Sequence, residues 1–432
     1  MNCFVRSFGV PAVKGEEKYV DRILDMPVEL NEYMQIKDAV KYVGVTDRFK
    51  DVIATFDVPE GETPAGFERT MSFEKDGVVR VDLERNISYD KNGELRPQNV
   101  LFSADTANVY EVAPISSLIS NLTCNPGIIY DLFINNPDAN IGHKFNTRDE
   151  VMTELARILP PGVDVSVELN DPFEPDFDKI LEECAKFRDI FSKYRIVIKV
   201  PHTGPVNRDN VGQLLQGKKQ LDTRFTDVAT EDALRGHNLA LKLHEAGYRV
   251  NFTLMFEPYQ TRFALQARPY FINTFLRHRL KQSTAINNYL ALYDVAKDDK
   301  YLEELRGYLI DNDYYAPSDN DISLLSVEKF SRDLIKYRHF NDEQGRDGLD
   351  GMRHNLRLLK NCNMKDTRLI VCSMEGEENY PDIDKLLTEP EFEEMNKKVV
   401  VTAEPNYIAR FTSTNQVISY QRRFMNAANG EK

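Results

Sequence analysis

Residues 195–201 read R-I-V-I-K-V-P, an apolar run the length of one β-strand with a single lysine inside it. Side chains alternate faces along a strand, so Ile196, Ile198 and Val200 share one side and Val197 and Lys199 the other. An unbroken apolar face packs under outer helices, which turns Lys199 toward the interior of a parallel barrel. The same rhythm of short apolar runs separated by helical stretches continues on both sides. Its strands are Val100–Asp105, Leu118–Asn125, Val163–Leu169, Arg195–Pro201, Tyr248–Phe256, Pro269–Phe275, Arg368–Ser373 and Lys398–Thr402. Eight such strands close a barrel, so the expected fold is α/β, a (β/α)8 TIM barrel.

The barrel region runs from 100 to 410, with a C-terminal tail over 411–432. Two stretches exceed an ordinary connection, about 203–232 and the polar, helical 279–366, and read as long insertions. Residues 1–99 differ in pattern. Pro27–Phe56 has amphipathic helical spacing through Met34, Val40, Val43 and Ile53, and Phe67–Phe73 and Val78–Leu83 flank Asp76-Gly77 as a hairpin. Asn92-Gly93 marks a further turn. This N-terminal α+β extension carries no readable function.

The 432 residues are 41% hydrophobic and 29% charged, the balance of a water-soluble globular protein. A net charge of −14 and no Lys/Arg-rich tract argue against nucleic-acid binding. No run approaches the roughly 18 apolar residues of a membrane span. Met1–Val13 makes a poor signal peptide, because Arg6 and Pro11 interrupt it. Five scattered cysteines fit neither a disulfide framework nor a four-cysteine metal site. The expected setting is the reducing cytoplasm. The seven histidines contain no H-x-x-x-H pair, and there is no G-x-G-x-x-G or P-loop, so neither a metal nor a nucleotide cofactor is expected. The acidic tracts 375–378 and 389–394 read as solvated faces.

Parity places further polar groups inside the barrel, near the C-terminal strand ends where such barrels carry their active sites. These are Asp105, then Thr123 with Asn125, Ser166 with Glu168, Asn251 with Thr253, and Asn273 with Phe275. An inward lysine among carboxylates has two readings. One is a buried ion pair. The other is a nucleophilic amine, desolvated until its pKa drops and attended by an acid/base group and by hydroxyl and amide groups that hold a polyol. Asp105, Glu168, Thr253, Asn125 and Asn251 are the residue types that chemistry needs.

The ordered motifs S-A-D-T-A-N (103–108), N-L-T-C-N-P (121–126), V-S-V-E (165–168), I-V-I-K-V-P-H-T (196–203) and V-N-F-T-L-M-F (250–256) resemble those of transaldolases across roughly residues 100–410. The resemblance implies a metal-free, cofactor-free enzyme of carbohydrate metabolism, of the pentose phosphate kind. Lys199 would be the Schiff-base nucleophile, Asp105 the acid/base for the carbon–carbon step, and Glu168 with Thr253 the pair holding a catalytic water. Asn125 and Asn251 would bind hydroxyls of the dihydroxyacetone portion. Asn273, where the family has Ser, and Ser373, at a strand end where the family reads A-S, are further substrate-binding candidates. Phe275 matches the Phe of transaldolases rather than the Tyr of related fructose-6-phosphate aldolases, which favours transfer over release.

The phosphate half departs from the family. His278 falls where a phosphate-binding Arg would stand, with Arg277 and Arg279 beside it as substitutes, and Glu375 replaces the second such Arg. His202, just past Lys199, occupies a slot where relatives carry a small residue and is a candidate for the mouth of the site. The reading is a transferase moving a dihydroxyacetone unit from a ketose to an aldose, phosphorylated or not. Its rival is a class I aldolase, a lyase using the same lysine; a catalytically silent barrel is the third. The expected partner is a sugar or sugar phosphate, with no nucleic acid and no membrane, and the oligomeric state stays open.

Overall fold

The computed structural model of the chain describes residues 3–56, 59, 61–372 and 379–430. Its N-terminal part holds two small sheets. β1 (Cys3–Phe4) pairs antiparallel with β2 (Pro27–Val28), and β3 (Tyr42–Val45), β4 (Phe67–Phe73) and β5 (Val78–Arg85) form a sheet in the order β3-β5-β4. The hairpin at Asp76-Gly77 is present, with Gly77 at φ 91°. The helical reading of Pro27–Phe56 needs correction. Helices cover only Leu30–Ile36 and Asp47–Phe56, and β3 lies between them, parallel to β5. Val43 and Val45 face a core shared with Phe49, Val79 and Val81, so tertiary pairing overrides local spacing there.

β6 (Leu101–Asp105), β7 (Asn121–Cys124), β8 (Asp164–Glu168), β9 (Arg195–Pro201), β10 (Arg249–Thr253), β11 (Phe271–Phe275), β12 (Arg368–Cys372) and β13 (Val399–Ala403) are all parallel. They close into one barrel, β13 pairing with β6. With its surrounding helices the chain is a (β/α)8 TIM barrel, as the strand count and parity predict. Val165, Val167, Ile198, Val200, Val250 and Phe252 pack outward against the helices. Val197, Phe271, Ile370 and Val400 pack inside the barrel, joined by Ile87 from the N-terminal part.

Several strands end earlier than their apolar runs. β10 stops at Thr253 because Leu254 turns to φ 56°. The stretch after β11 is a bundle of three helices, Arg277–Ala296, Lys300–Asp311 and Leu324–Tyr337, around a core of their own that includes Ile286, Leu305, Leu309 and Val327. A fourth helix, Asp350–Lys360, returns to cover β11 and β12. The loop after β9 is fastened to this bundle by Arg224, whose guanidinium donates two hydrogen bonds to Asp319, at 2.7 and 2.8 Å. Among the described residues no helix is long and apolar enough to cross a membrane.

Candidate active site

A chain of hydrogen bonds crosses the barrel interior from strand to strand. Asn121 Nδ2 donates to Ser103 Oγ (2.7 Å), Ser166 Oγ to Asn121 Oδ1 (3.4 Å), and Asn251 Nδ2 to Ser166 Oγ (3.2 Å). Asn273 Nδ2 donates to Asn251 Oδ1 and to the Phe252 carbonyl, and Cys372 Sγ lies 3.2 Å from Asn273 Oδ1. These side chains are buried, and each is satisfied by a neighbour on another strand. Asn251 and Asn273, both substrate-binding candidates, therefore belong to this polar girdle. Ser103 and Asn121 escaped the sequence reading, although strand parity also turns them inward.

Two residues further along the same strands, one pleat nearer the C-terminal mouth, come Asp105, Thr123, Glu168, Thr253 and Phe275. Lys199 joins them from β9, in register with Glu168 on one side and Asn251 on the other. Its Nζ lies 3.4 Å from Glu168 Oε2, and the residue is only 5% exposed. Asn125 stands at the rim, where Oδ1 accepts from the Ile128 N–H (2.9 Å) and caps the helix Pro126–Ile129. Phe275 stacks on Phe256 with ring centroids 4.6 Å apart. The structure thus gathers Lys199, Asp105, Glu168, Thr253, Asn125, Asn251, Asn273 and Phe275 at one end of one barrel.

The electrostatics differ from the sequence expectation for the lysine. Burial pushes the Lys199 amine down, but the carboxylates of Glu168 and Asp105 outweigh it and hold the amine above its ordinary range. The resting lysine is an ammonium. Asp105 moves the other way: burial, with Glu168 and Glu404 adding repulsion, pushes its carboxyl up to about 6 against the pull of Lys199. Its Oδ1 is buried with no hydrogen-bond partner among the described residues. One carboxyl is therefore poised near neutrality within a site that keeps a charged amine, so a proton can pass between them when substrate enters. Glu404, just beyond β13, is a contributor the sequence reading missed.

His202 is half-buried beside Phe252, and burial reinforced by His237 pushes it down to about 4, so its ring is neutral. Its Nε2 is buried without a hydrogen-bond partner among the described residues. The arginine substitutes fare differently. Arg277 is half-buried in the first turn of the helix Arg277–Ala296. Arg279 is turned away into an internal network: its Nε donates to Glu257 Oε2 (2.9 Å) and an Nη to Asp350, while Arg338 takes the other Glu257 oxygen. That commitment leaves Arg279 unsuited to substrate phosphate. His278 is exposed beside Gln282, with its ring 5.4 Å from Phe256. Ser373 and Glu375 lie outside the described residues.

Residues 102–301 match the model of the family Transaldolase/Fructose-6-phosphate aldolase, from β6 through the first helix of the insertion. The likeness to that family covers this part of the barrel, a little under half of the chain. No curated protein matches the chain. The family match spans β6 to β11, which carry every one of the gathered side chains, while β12, β13 and the N-terminal sheets lie outside it. The matched family is one of transaldolase and aldolase enzymes.

Proposed function

We propose that the chain transfers a dihydroxyacetone unit from a ketose donor to an aldose acceptor through a Schiff base on Lys199. The observation that carries this is the Lys199–Glu168 contact at 3.4 Å inside the barrel, beside an Asp105 carboxyl raised to about 6. Lys199 gives a proton to a neighbouring carboxylate, and the freed amine adds to the donor's C2 carbonyl. Loss of water from the carbinolamine, with Glu168 and Thr253 holding that water, gives the iminium. The Asp105 carboxylate then takes the proton of the C4 hydroxyl, the C3–C4 bond breaks, and an aldehyde leaves while the electron pair stays on the lysine-bound enamine. The acceptor aldehyde reverses these steps, and Asp105 returns the proton to the new hydroxyl. Asn125 and Asn251 hold the hydroxyls of the three-carbon unit.

Phe275, packed on Phe256 at the mouth, supports transfer, since an apolar ring there gives no hydroxyl to orient a releasing water. A second reading rests on Arg279. Its engagement with Glu257 and Asp350, with His278 beside it, favours a donor lacking a terminal phosphate, whether transferred or simply cleaved by a lyase. The cysteines are all free, which agrees with a cytoplasmic place in sugar interconversion of the pentose phosphate kind.

Borohydride trapping with peptide mass spectrometry tests the mechanism, using fructose 6-phosphate, fructose and dihydroxyacetone. A reduced ketose adduct on Lys199, absent from Lys199→Met, is expected. If none of the three marks any lysine, the Schiff-base reading fails. Product formation that requires an added aldehyde separates transferase from lyase.

A further inference from the structure

At the opposite end of the barrel the first residues of three strands, Arg195 of β9, Arg249 of β10 and Arg368 of β12, converge with Arg85 from the end of β5. They line a cavity of about 990 Å³ between the barrel floor and the N-terminal part. Of its 26 lining residues ten are Arg or Lys and four are Asp or Glu, in a chain whose net charge is −14. Nothing in the sequence pattern announces this, because the cations come from strands far apart in the chain.

The arginines are poorly neutralised. Asp164 and Asp366 are the carboxylates set among them, and Arg195 Nε reaches Asp164 Oδ1 at 3.4 Å. Arg195 also donates to the Tyr270 hydroxyl, and Arg368 donates to Ser88 Oγ at 2.7 Å. Yet Arg195 Nε and Nη2 and Arg368 Nη1 are buried with no hydrogen-bond partner among the described residues, and Arg195 is only 3% exposed. Burial, with repulsion from Arg195 and Arg249, pushes Arg85 down to about 9, and burial lowers Arg368 as well. Arg85 and Arg368 each spend one nitrogen on joining the N-terminal part to the barrel, Arg85 on the Lys193 carbonyl and Arg368 on Asn86 and Ser88, whereas Arg195 and Arg249 make no hydrogen bond to that part among the described residues. The forked guanidinium groups on the cavity wall, with Arg249 exposed at its rim and Arg195 and Arg368 set deeper, match the geometry of phosphate oxygens.

We propose that this cavity binds a small oligophosphate, a molecule with two or three neighbouring phosphate groups, through Arg195, Arg249, Arg368 and Arg85. Ten cationic side chains against the four lining carboxylates, Asp164 and the Asp82 that holds Arg48 leave an excess of four, which a single phosphate would not balance, and the cavity is far roomier than one phosphate. The acidic exterior disfavours a nucleic-acid polymer and leaves a small molecule. The site is separate from the catalytic one. Arg195 precedes Lys199, Asp164 precedes Glu168 and Arg249 precedes Thr253 by four residues each, a separation of about 13 Å along the strands.

Titration calorimetry of the full chain with sodium tripolyphosphate at low ionic strength tests this, with inorganic phosphate for comparison. One saturable site is expected, tighter for tripolyphosphate than for phosphate. Arg249→Met, on the exposed rim, and Arg368→Met should each weaken it by about tenfold or more, which is about 1.4 kcal/mol. Arg249→Met should also melt no lower than wild type without ligand, because it removes an under-neutralised cation. No saturable binding, or binding unchanged in Arg249→Met, would overturn the proposal, and tighter binding of a single-stranded oligonucleotide would overturn the small-molecule class. If Arg368→Met does not fold, Arg249→Met decides alone.

Discussion

Asp105 and Lys199 share one interior, and each shifts the other's protonation. The fold raises the Asp105 carboxyl from 3.8 to about 6, so the ionised form is the one the fold disfavours. The cost is fully present above pH 6, shrinks as pH falls, and vanishes only well below 3.8, where the group is protonated in folded and unfolded chains alike. Asp105→Asn is therefore expected to stabilise the protein at pH 8 by up to about 3 kcal/mol, an upper bound because Lys199 loses a charged neighbour. The gain should shrink as pH falls through 6. The same substitution should slow carbon–carbon cleavage by roughly 10²–10⁴-fold while leaving a borohydride-trapped adduct on Lys199. Thermal melts at pH 5 and 8 and single-turnover assays read the two effects. A variant that forms no adduct would move Asp105 from the cleavage step to Schiff-base formation. Turnover in wild type should rise with pH through about 6, as the carboxylate needed for cleavage appears. At this scale the sequence was informative, since strand parity alone turned Lys199, Asp105, Glu168 and Thr253 inward. The direction of the lysine's shift was not legible, because it depends on how close two carboxylates from other strands come.

Elements were legible where their pattern was local. Each barrel strand lies in a run of at least five residues on which alternation shows, the four-residue β7 within Leu118–Asn125. β3 failed that test: four residues cannot separate a period of 2 from 3.6, and its partner β5 lies beyond a helix and another strand. Arg279 failed for a related reason, since its carboxylates sit 22 and 71 residues away. Those ion pairs fasten the helix Arg277–Ala296 to the loop after β10 and to the helix Asp350–Lys360. Arg279→Met should accordingly act on stability and not on substrate choice. Removing one partner leaves Asp350 buried and unpaired, at a cost of about 3–5 kcal/mol. Urea melts should show the loss, and the ratio of kcat/KM for phosphorylated over unphosphorylated donor should stay the same. A collapse of that ratio with stability intact would instead make Arg279 a phosphate ligand.

The N-terminal part reads from sequence as an addition without purpose, and the assembled molecule gives it one. Ile87, a lone apolar residue between Asn86 and Ser88, enters the barrel interior among Leu101, Val197, Phe271, Ile370 and Val400 and is 1% exposed. Beside it Gly66, at φ 73°, meets Gly162 so closely that a Cβ would lie 2.5 Å from the Gly162 Cα. The barrel floor is thus closed by a plug from outside the barrel, and the plug also walls the arginine cavity through Asn86 and Ser88. If the plug completes the barrel core, Ile87→Ala opens a cavity inside it and costs about 2–5 kcal/mol. The loss should reach both parts of the chain, because each packs against the same side chain. The free cysteines report on them separately: Cys3 lies in the N-terminal core, Cys184 under the barrel helices and Cys372 inside the barrel. Pulsed thiol labelling across a urea gradient, read by peptide mass spectrometry, should show all three midpoints falling together in Ile87→Ala. A midpoint that falls for Cys3 while those of Cys184 and Cys372 hold would mean the barrel core is complete without Ile87, and the plug reading would be lost.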